Sequence, residues 1–464
     1  MNVALTLICL VLPGVLPAFA LAGAVPEAAF LSPLLGAIVA ALAAVGELTI
    51  AGSFVTWYVT LAILAQVLAV SVLRGRRKEA GRKISLRGRR RDIAAMLLVV
   101  SALVWPLSAM RARLVGYDAH AIWVLHGMFI SGGHSQLVAG LKDPAYAFSN
   151  PDYPPLVPAA SALGFAVADR IDYGVAVSVT ALLNGSALAL VGLGVAKIGT
   201  ALTSRRARLA AILTAPALCL AGFGIAGVSA VNGYADLLWA AAATASIVFG
   251  LVLPRSRSHM LVAVAAATSA ALTKNEGLVA SLIILSLMSF RYFAHQPLSA
   301  NRIRRQATML AAAAAPGLAW AAAVRFKGVG DNFFGAGTAS VRSRLQSTIS
   351  GLTPFLHIVL PAMGVLVLGS MILRAARRRA GAANAAWLWV ALAAWFAVLL
   401  YTYTFGNAEI HWWIRTSADR TMIFPQLVLC AEISIWGVLA CEPRLKTSEA
   451  QPRIWEQDRA PVTS

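Results

Sequence analysis

The sequence predicts an all-α polytopic membrane protein of about thirteen transmembrane helices, and three observations predict it. Apolar residues make up 59% of the chain and charged residues 12%, against roughly one quarter charged in a soluble globular domain. The apolar residues fall in runs near 20 residues, about the length that crosses a bilayer core. The Lys and Arg residues, whose excess gives a formal charge of +20, collect in short clusters between those runs, as they do in cytoplasmic loops. Basic charge is thereby placed beside a lipid bilayer, and nucleic acid is not an expected partner. Four cysteines, Cys9, Cys219, Cys430 and Cys441, show neither CxxC nor CxH spacing, so neither a disulfide framework nor a zinc site is expected.

The first run, 3–25, lacks the basic start of a signal peptide, and a second follows almost at once from Ala28. It is therefore taken as a spanning helix. Runs at 28–46 and 53–73 complete an N-terminal group over 1–73, and 74–92 is a basic loop with ten Lys and Arg between Arg74 and Arg91. The main unit, 93–440, begins with a run at 93–110 and then carries a long polar stretch, 111–173. Nine more runs follow, near 174–196, 209–231, 235–253, 260–273, 277–290, 307–324, 353–373, 383–405 and 421–440. Leu156 to Ala168 is apolar, too short to span and opens on prolines, which predicts a juxtamembrane or re-entrant helix. The polar remainder, 441–464, is expected to be a disordered cytoplasmic tail.

Orientation follows from the basic clusters, since Lys and Arg mark the cytoplasmic side of short loops. With 74–91 inside and 156–168 not crossing, the clusters at Arg205, Arg255, Arg302 and Arg377 all fall inside as well. The stretch 325–350 is the exception, being outside yet carrying four basic residues. The outer connections then hold nearly all the distinctive polar residues. These are carboxylates (Asp118, Asp152, Asp236, Glu276, Glu409), cations (Lys274, Arg415, Arg420), histidines (His120, His126, His411) and aromatics (Trp123, Tyr153, Tyr234, Trp412, Trp413). An acid at the edge of a membrane is expensive and marks a functional site by default.

Chemistry can be assigned to these types. A carboxylate acts as general base on a hydroxyl, Lys or Arg holds a phosphate, and aromatic faces line sugars or lipids. Plainer roles compete with these. Asp236 and Glu276 each stand where a helix is expected to begin, and an acid there is favoured by the helix dipole. Lys274 then serves only to neutralise Glu276, and Trp412 and Trp413 fit an interfacial aromatic belt. His120 and His126 are six residues apart, which is not a same-face helical spacing, so no metal is assigned to them. No cofactor is expected; a divalent metal is compatible with the carboxylates, but no spacing predicts one.

Taken in order, a helix, Gly116-Tyr117-Asp118 followed by AHAIW, a polar stretch closing in NPDYPPLVP, then GYAD, TKNEG and a late DR resemble the polyprenol-phosphate-sugar-dependent glycosyltransferases of the GT-C superfamily. The likeness spans about residues 93–430. Within that superfamily the chain is most similar to bacterial members grouped with protein O-mannosyltransferases and the aminoarabinose transferases of lipid A. The resemblance implies an inverting transfer of a sugar from a polyprenyl-phosphate carrier to a hydroxyl of a glycan, lipid or protein acceptor. It implies that this happens at the outer face of the cell membrane. Asp118 matches the family's acid at the end of a spanning helix, with Ala119 and His120 where a second acid can stand. Asp152 flanks Tyr153-Pro154-Pro155-Leu156, which matches the proline-containing juxtamembrane helix. By the same resemblance Asp118 and Asp152 are the catalytic candidates, and Arg420, Arg415 and Lys274 would meet the donor phosphate. His120, Trp123, Tyr153, Asp236, Glu276, Glu409 and His411 would contact substrate. Two other classes stay open: a secondary transporter, which also uses intramembrane acids and broken helices, and a polymerase or ligase of lipid-linked glycans.

Overall fold

The computed structural model describes residues 2–79, 86–108, 116–199, 202, 204–254, 256–294, 299–329, 340–354, 382–406 and 409–442. Among them there are helices and connections but no strand. In order they are α1 (Asn2–Ala22), α2 (Val25–Ile50), α3 (Phe54–Glu79) and α4 (Leu86–Ser108). A π-helical turn, Ala119–Val124, leads into α5 (Leu125–Ser131), followed by α6 (His134–Lys142), α7 (Leu156–Ala168), α8 (Tyr173–Ile198) and α9 (Arg205–Ala226). Next come α10 (Asp236–Ile247), extended by a π-helical turn over Val248–Val252, then α11 (Arg257–Thr273), α12 (Asn275–Ala294) and α13 (Ala300–Phe326). The last helices are α14 (341–354), α15 (Ala382–Phe405), α16 (Ile410–Thr421) and α17 (Ile423–Ala440).

The chain is an all-α, multi-pass membrane protein. Nine helical segments among the described residues are long and apolar enough to cross a bilayer. They correspond to nine of the thirteen expected runs, and the other four differ for identifiable reasons. The 93–110 run lies on α4, whose first turns are basic. The runs at 235–253 and 260–273 form helical segments of only 17 residues, Asp236–Val252 and Arg257–Thr273, about 25 Å at 1.5 Å per residue. The run at 353–373 lies almost wholly outside the described residues, as do 80–85 of the basic loop and the tail beyond Glu442.

Helices α8 and α10 form the centre and are buried along nearly their whole length, whereas α3 exposes Val59, Ile63, Val67 and Leu68 on the face that lipid would cover. Dispersion rather than hydrophobic exclusion holds helices together in lipid, so small residues mark the tightest contacts. Helices α1 and α2 meet in this way: a methyl group on Gly14 or Gly36 would overlap the other helix's backbone at Ser32 or Leu10.

Polar contacts sort the helix ends into two sets. At one side Lys197, near the end of α8, lies 2.6 Å from Glu27 at the start of α2. There too Arg291 of α12 donates to the carbonyl of Gly250 at 3.3 Å, and the backbone N–H of Ser204 donates to Glu442 at 3.0 Å. At the opposite side His134 Nδ1 donates to the carbonyl of Glu47, near the end of α2, at 2.6 Å. Helix α7 starts just after Tyr153, which stacks on Trp123 at 5.7 Å. It is followed by Tyr173, whose ring is 5.2 Å from that of His120. His120 and Trp123 are three residues apart in one π-helical turn, so the segments just before and just after α7 flank the same element.

Candidate functional site

A cluster of charged side chains lies on the His134–Glu47 side, where five separate segments bring their ends together. Lys274 is its centre. Its backbone is extended (φ −156°, ψ 157°) between the end of α11 and the start of α12, so the chain reverses through this single residue. The side chain, 4% exposed, has Nζ 2.9 Å from Asp236 Oδ1 and 3.3 Å from Glu276 Oε1. Burial works against the ammonium's charge, but the carboxylates of Asp236 and Glu276 outweigh it and hold Lys274 well above the ordinary lysine range. Both acids stand in the first turn of a helix, α10 and α12, where the dipole also favours negative charge. The helix-dipole role and the ion-pair role thus coincide.

Arg420 closes the cluster from the far end of the chain. Its Nε and Nη2 donate to the carbonyl of Thr416 at 3.1 and 2.7 Å, which folds the side chain back along α16. Nη1 is left to meet Asp118 Oδ2 in a direct ion pair, with Asp236 Oδ2 3.9 Å away. The guanidinium carbon lies 5.8 Å from the centre of the Tyr234 ring, within cation–π range. The hydroxyl end of that ring fills the space at Gly116, where a Cβ would overlap it. Only glycine fits there, two residues before Asp118. Burial pushes the Tyr234 phenol up, and the carboxylate of Asp118 adds to the effect. Asp118 and Arg420 are partly open, at 15% and 19% exposure, while Asp236 is sealed at 1%.

An aromatic wall borders the charges. Tyr153 stacks on Trp123 with an interplanar angle of 17° and lies 5.4 Å below Lys274 Nζ. Asp152, the residue before it, accepts from Asn275 Nδ2 at 2.6 Å through its side chain and from Trp320 Nε1 at 3.1 Å through its carbonyl. Asp152 therefore reaches the cluster through Asn275, whose neighbours in sequence are Lys274 and Glu276.

Of the candidates named from sequence, Asp118, Asp152, Trp123, Tyr153, Asp236, Lys274, Glu276 and Arg420 come together. Others do not. Glu409 is exposed and caps α16, accepting from the backbone N–H of His411 at 2.9 Å and from that of Trp412. Those two bonds hold its carboxyl below the usual range. His411 and Arg415 are exposed on the same helix, and His120 is exposed beside Tyr173. Asn275, Trp320 and Gly116 are participants that the sequence candidates omitted. Asn275 sits inside the TKNEG turn, and Trp320 is the lone aromatic in the Ala-rich second half of α13 before Phe326, which are the two signals that point to them. Among the described residues, no group of three or more His, Cys, Asp or Glu is arranged to hold a metal ion.

Fold and cluster together define a polytopic helical membrane protein with a buried ion-pair centre near one membrane face. No family model, no curated protein and no solved structure matches the chain.

Proposed function

We propose that the protein is an inverting glycosyltransferase that moves a sugar from a polyprenyl-phosphate carrier to an acceptor hydroxyl at the extracytoplasmic face of the cell membrane. The observation that carries this is the meeting of Asp118, from the segment after α4, with Arg420, from the last pair of helices, beside the stacked Trp123 and Tyr153. A carboxylate, a guanidinium and an aromatic wall are what a base, a phosphate anchor and a sugar platform require. In the reaction the acceptor oxygen bonds to the anomeric carbon from the side opposite the phosphate. The bond from that carbon to the phosphate oxygen breaks, its electron pair leaves with the polyprenyl phosphate, and the hydroxyl proton passes to Asp118.

Of the three cations assigned to the phosphate, Arg420 has the position for it, partly open at the edge of the cluster. Lys274 is enclosed by carboxylates, where its role is to balance their charge. An arginine grips phosphate through two parallel bonds and a lysine only as a point charge. With purified protein and a radiolabelled polyprenyl-phosphate sugar, Arg420→Ala is accordingly expected to raise the donor KM more than Arg420→Lys. Wild-type donor dependence in both variants would remove Arg420 from the site.

The orientation rests on the basic clusters, which put the Arg205 end inside and the charged centre outside. In cells carrying Cys441→Ser, which removes the exposed native thiol, Ser131→Cys is expected to react with an impermeant maleimide and Arg206→Cys to stay protected. The reverse pattern inverts the topology.

One observation favours a second reading as a transporter. Glu432 of α17 is a buried carboxyl in a candidate span, its Oε1 accepting from the indoles of Trp389 at 2.7 Å and Trp436 at 3.0 Å. Intramembrane acids of this kind serve proton relays. Proton-coupled flux without sugar transfer in proteoliposomes would decide for that reading.

A further inference from the structure

The contact between Asp118 and Arg420 sets a problem for any anionic ligand of Arg420. The guanidinium has five N–H donors. Two are committed to the Thr416 carbonyl and one to Asp118, and its carbon stands 5.8 Å from the centre of the Tyr234 ring. Around it three carboxylates, Asp118, Asp236 and Glu276, face two cations, Arg420 and Lys274. The cluster is therefore net negative before any ligand arrives. Asp236 is sealed and held by Lys274, so it is not free to move. Asp118 differs: it is partly open, and its carboxylate reaches Arg420 at the rim of the cluster.

We propose that Asp118 is an internal competitor for the phosphate site, so that a polyprenyl phosphodiester engages Arg420 by displacing the Asp118 carboxylate and thereby frees that carboxylate for the acceptor. This rests on the glycosyltransferase reading and adds an order of events to it. A sugar-carrying polyprenyl phosphodiester bears one negative charge, as does the Asp118 carboxylate, so the exchange leaves Arg420 neutralised by one anion throughout. Without donor, Asp118 Oδ2 is engaged by the guanidinium and turned from the acceptor. With donor bound, the same oxygen is released beside the anomeric carbon, where it takes the hydroxyl proton as the bond to phosphate breaks. Donor binding thus precedes productive acceptor binding. Water arriving without donor meets an occupied carboxylate oxygen.

The competition has a sign that a supporting role for Asp118 does not share. If Asp118 only orients Arg420 toward the ligand, Asp118→Asn weakens binding of the phosphate. If it competes, the same change strengthens binding. The full-length protein in phosphatidylcholine nanodiscs would be titrated with undecaprenyl phosphate, with undecaprenol as the uncharged control, and occupancy read by native mass spectrometry. Asp118→Asn is expected to bind the phosphate on the order of tenfold more tightly than wild type, the scale of one charge-assisted hydrogen bond. Arg420→Ala is expected to abolish the preference over undecaprenol. Asp118→Ser repeats the measurement with a shorter side chain beside Arg420 and stands in if the Asn variant does not fold. Equal or weaker binding in the folded Asp118 variant, with wild type still preferring the phosphate, overturns the competition and leaves the donor reading in place. No preference for the phosphate in either protein overturns the donor reading itself.

Discussion

Asp118→Asn is expected to lower turnover on the order of 10²- to 10⁴-fold, the usual effect of removing a positioned general base. The amide keeps the size of the carboxylate and can still stand near Arg420, but it cannot take a proton from the acceptor hydroxyl. Asp118→Glu is expected to recover little. One added methylene moves the carboxylate by about an ångström, and misplacement on that scale costs roughly 10²-fold. Asp152→Asn provides the comparison, because Asp152 Oδ2 is held by Asn275 at 2.6 Å and its carbonyl by Trp320. Its part is to fix the start of α7 and the aromatic wall, so its loss should be milder. Single-turnover rates at saturating donor separate the cases. Near-normal chemistry in Asp118→Asn beside a dead Asp152→Asn transfers the base to Asp152, and near-normal rates in both would sink the mechanism.

Lys274→Met is the second large effect, and it falls on stability. The lysine is 4% exposed and lies between Asp236, itself 1% exposed, and Glu276. Removing one partner of a buried pair leaves an uncompensated charge and costs about 3–5 kcal/mol. The variant should therefore unfold at a markedly lower temperature in detergent, or fail to accumulate. Adding Asp236→Asn returns the cluster to its original net charge and should recover much of the loss. An unchanged melting temperature in Lys274→Met would mean that water reaches the cluster and screens it. The paired variant also separates stability from chemistry, since the Asp118–Arg420 contact survives in it.

The residues of the centre were legible because they stand out from their surroundings. In an oily chain each of GYD, GYAD, TKNEG and DR is an island of charge that lipid would not tolerate without a partner. Which island pairs with which was not legible. Asp118 and Arg420 are 302 positions apart, and no local pattern links them. Proximity in sequence misled at Glu409, His411 and Arg415. They share a segment with Arg420, but on a helix Arg415 points roughly 140° away from Arg420, and Glu409 is consumed in capping. The helix count shows the same limit from another direction. Counting apolar residues finds α10 and α11, the latter as a run already too short to span, but not that the α10 segment, beginning at Asp236, also stops short at 17 residues. Glu432, an acid hidden inside an apolar run, gave no signal because a single charge barely lowers the mean of its window.

The distance between the partners of the outer ion pair has a consequence for how the protein is made. Asp236 and Lys274 are 38 positions apart, so a chain still on the ribosome holds both within the short stretch from α10 to α12 and can neutralise them on insertion. Asp118 has been made well before either and waits while some three hundred further residues are synthesised, because Arg420 arrives only with the final pair of helices. The inner pair belongs to early assembly. The contact between Asp118 and Arg420 is the last to be made, so a chain that stalls before α16 carries the inner pair without the outer one.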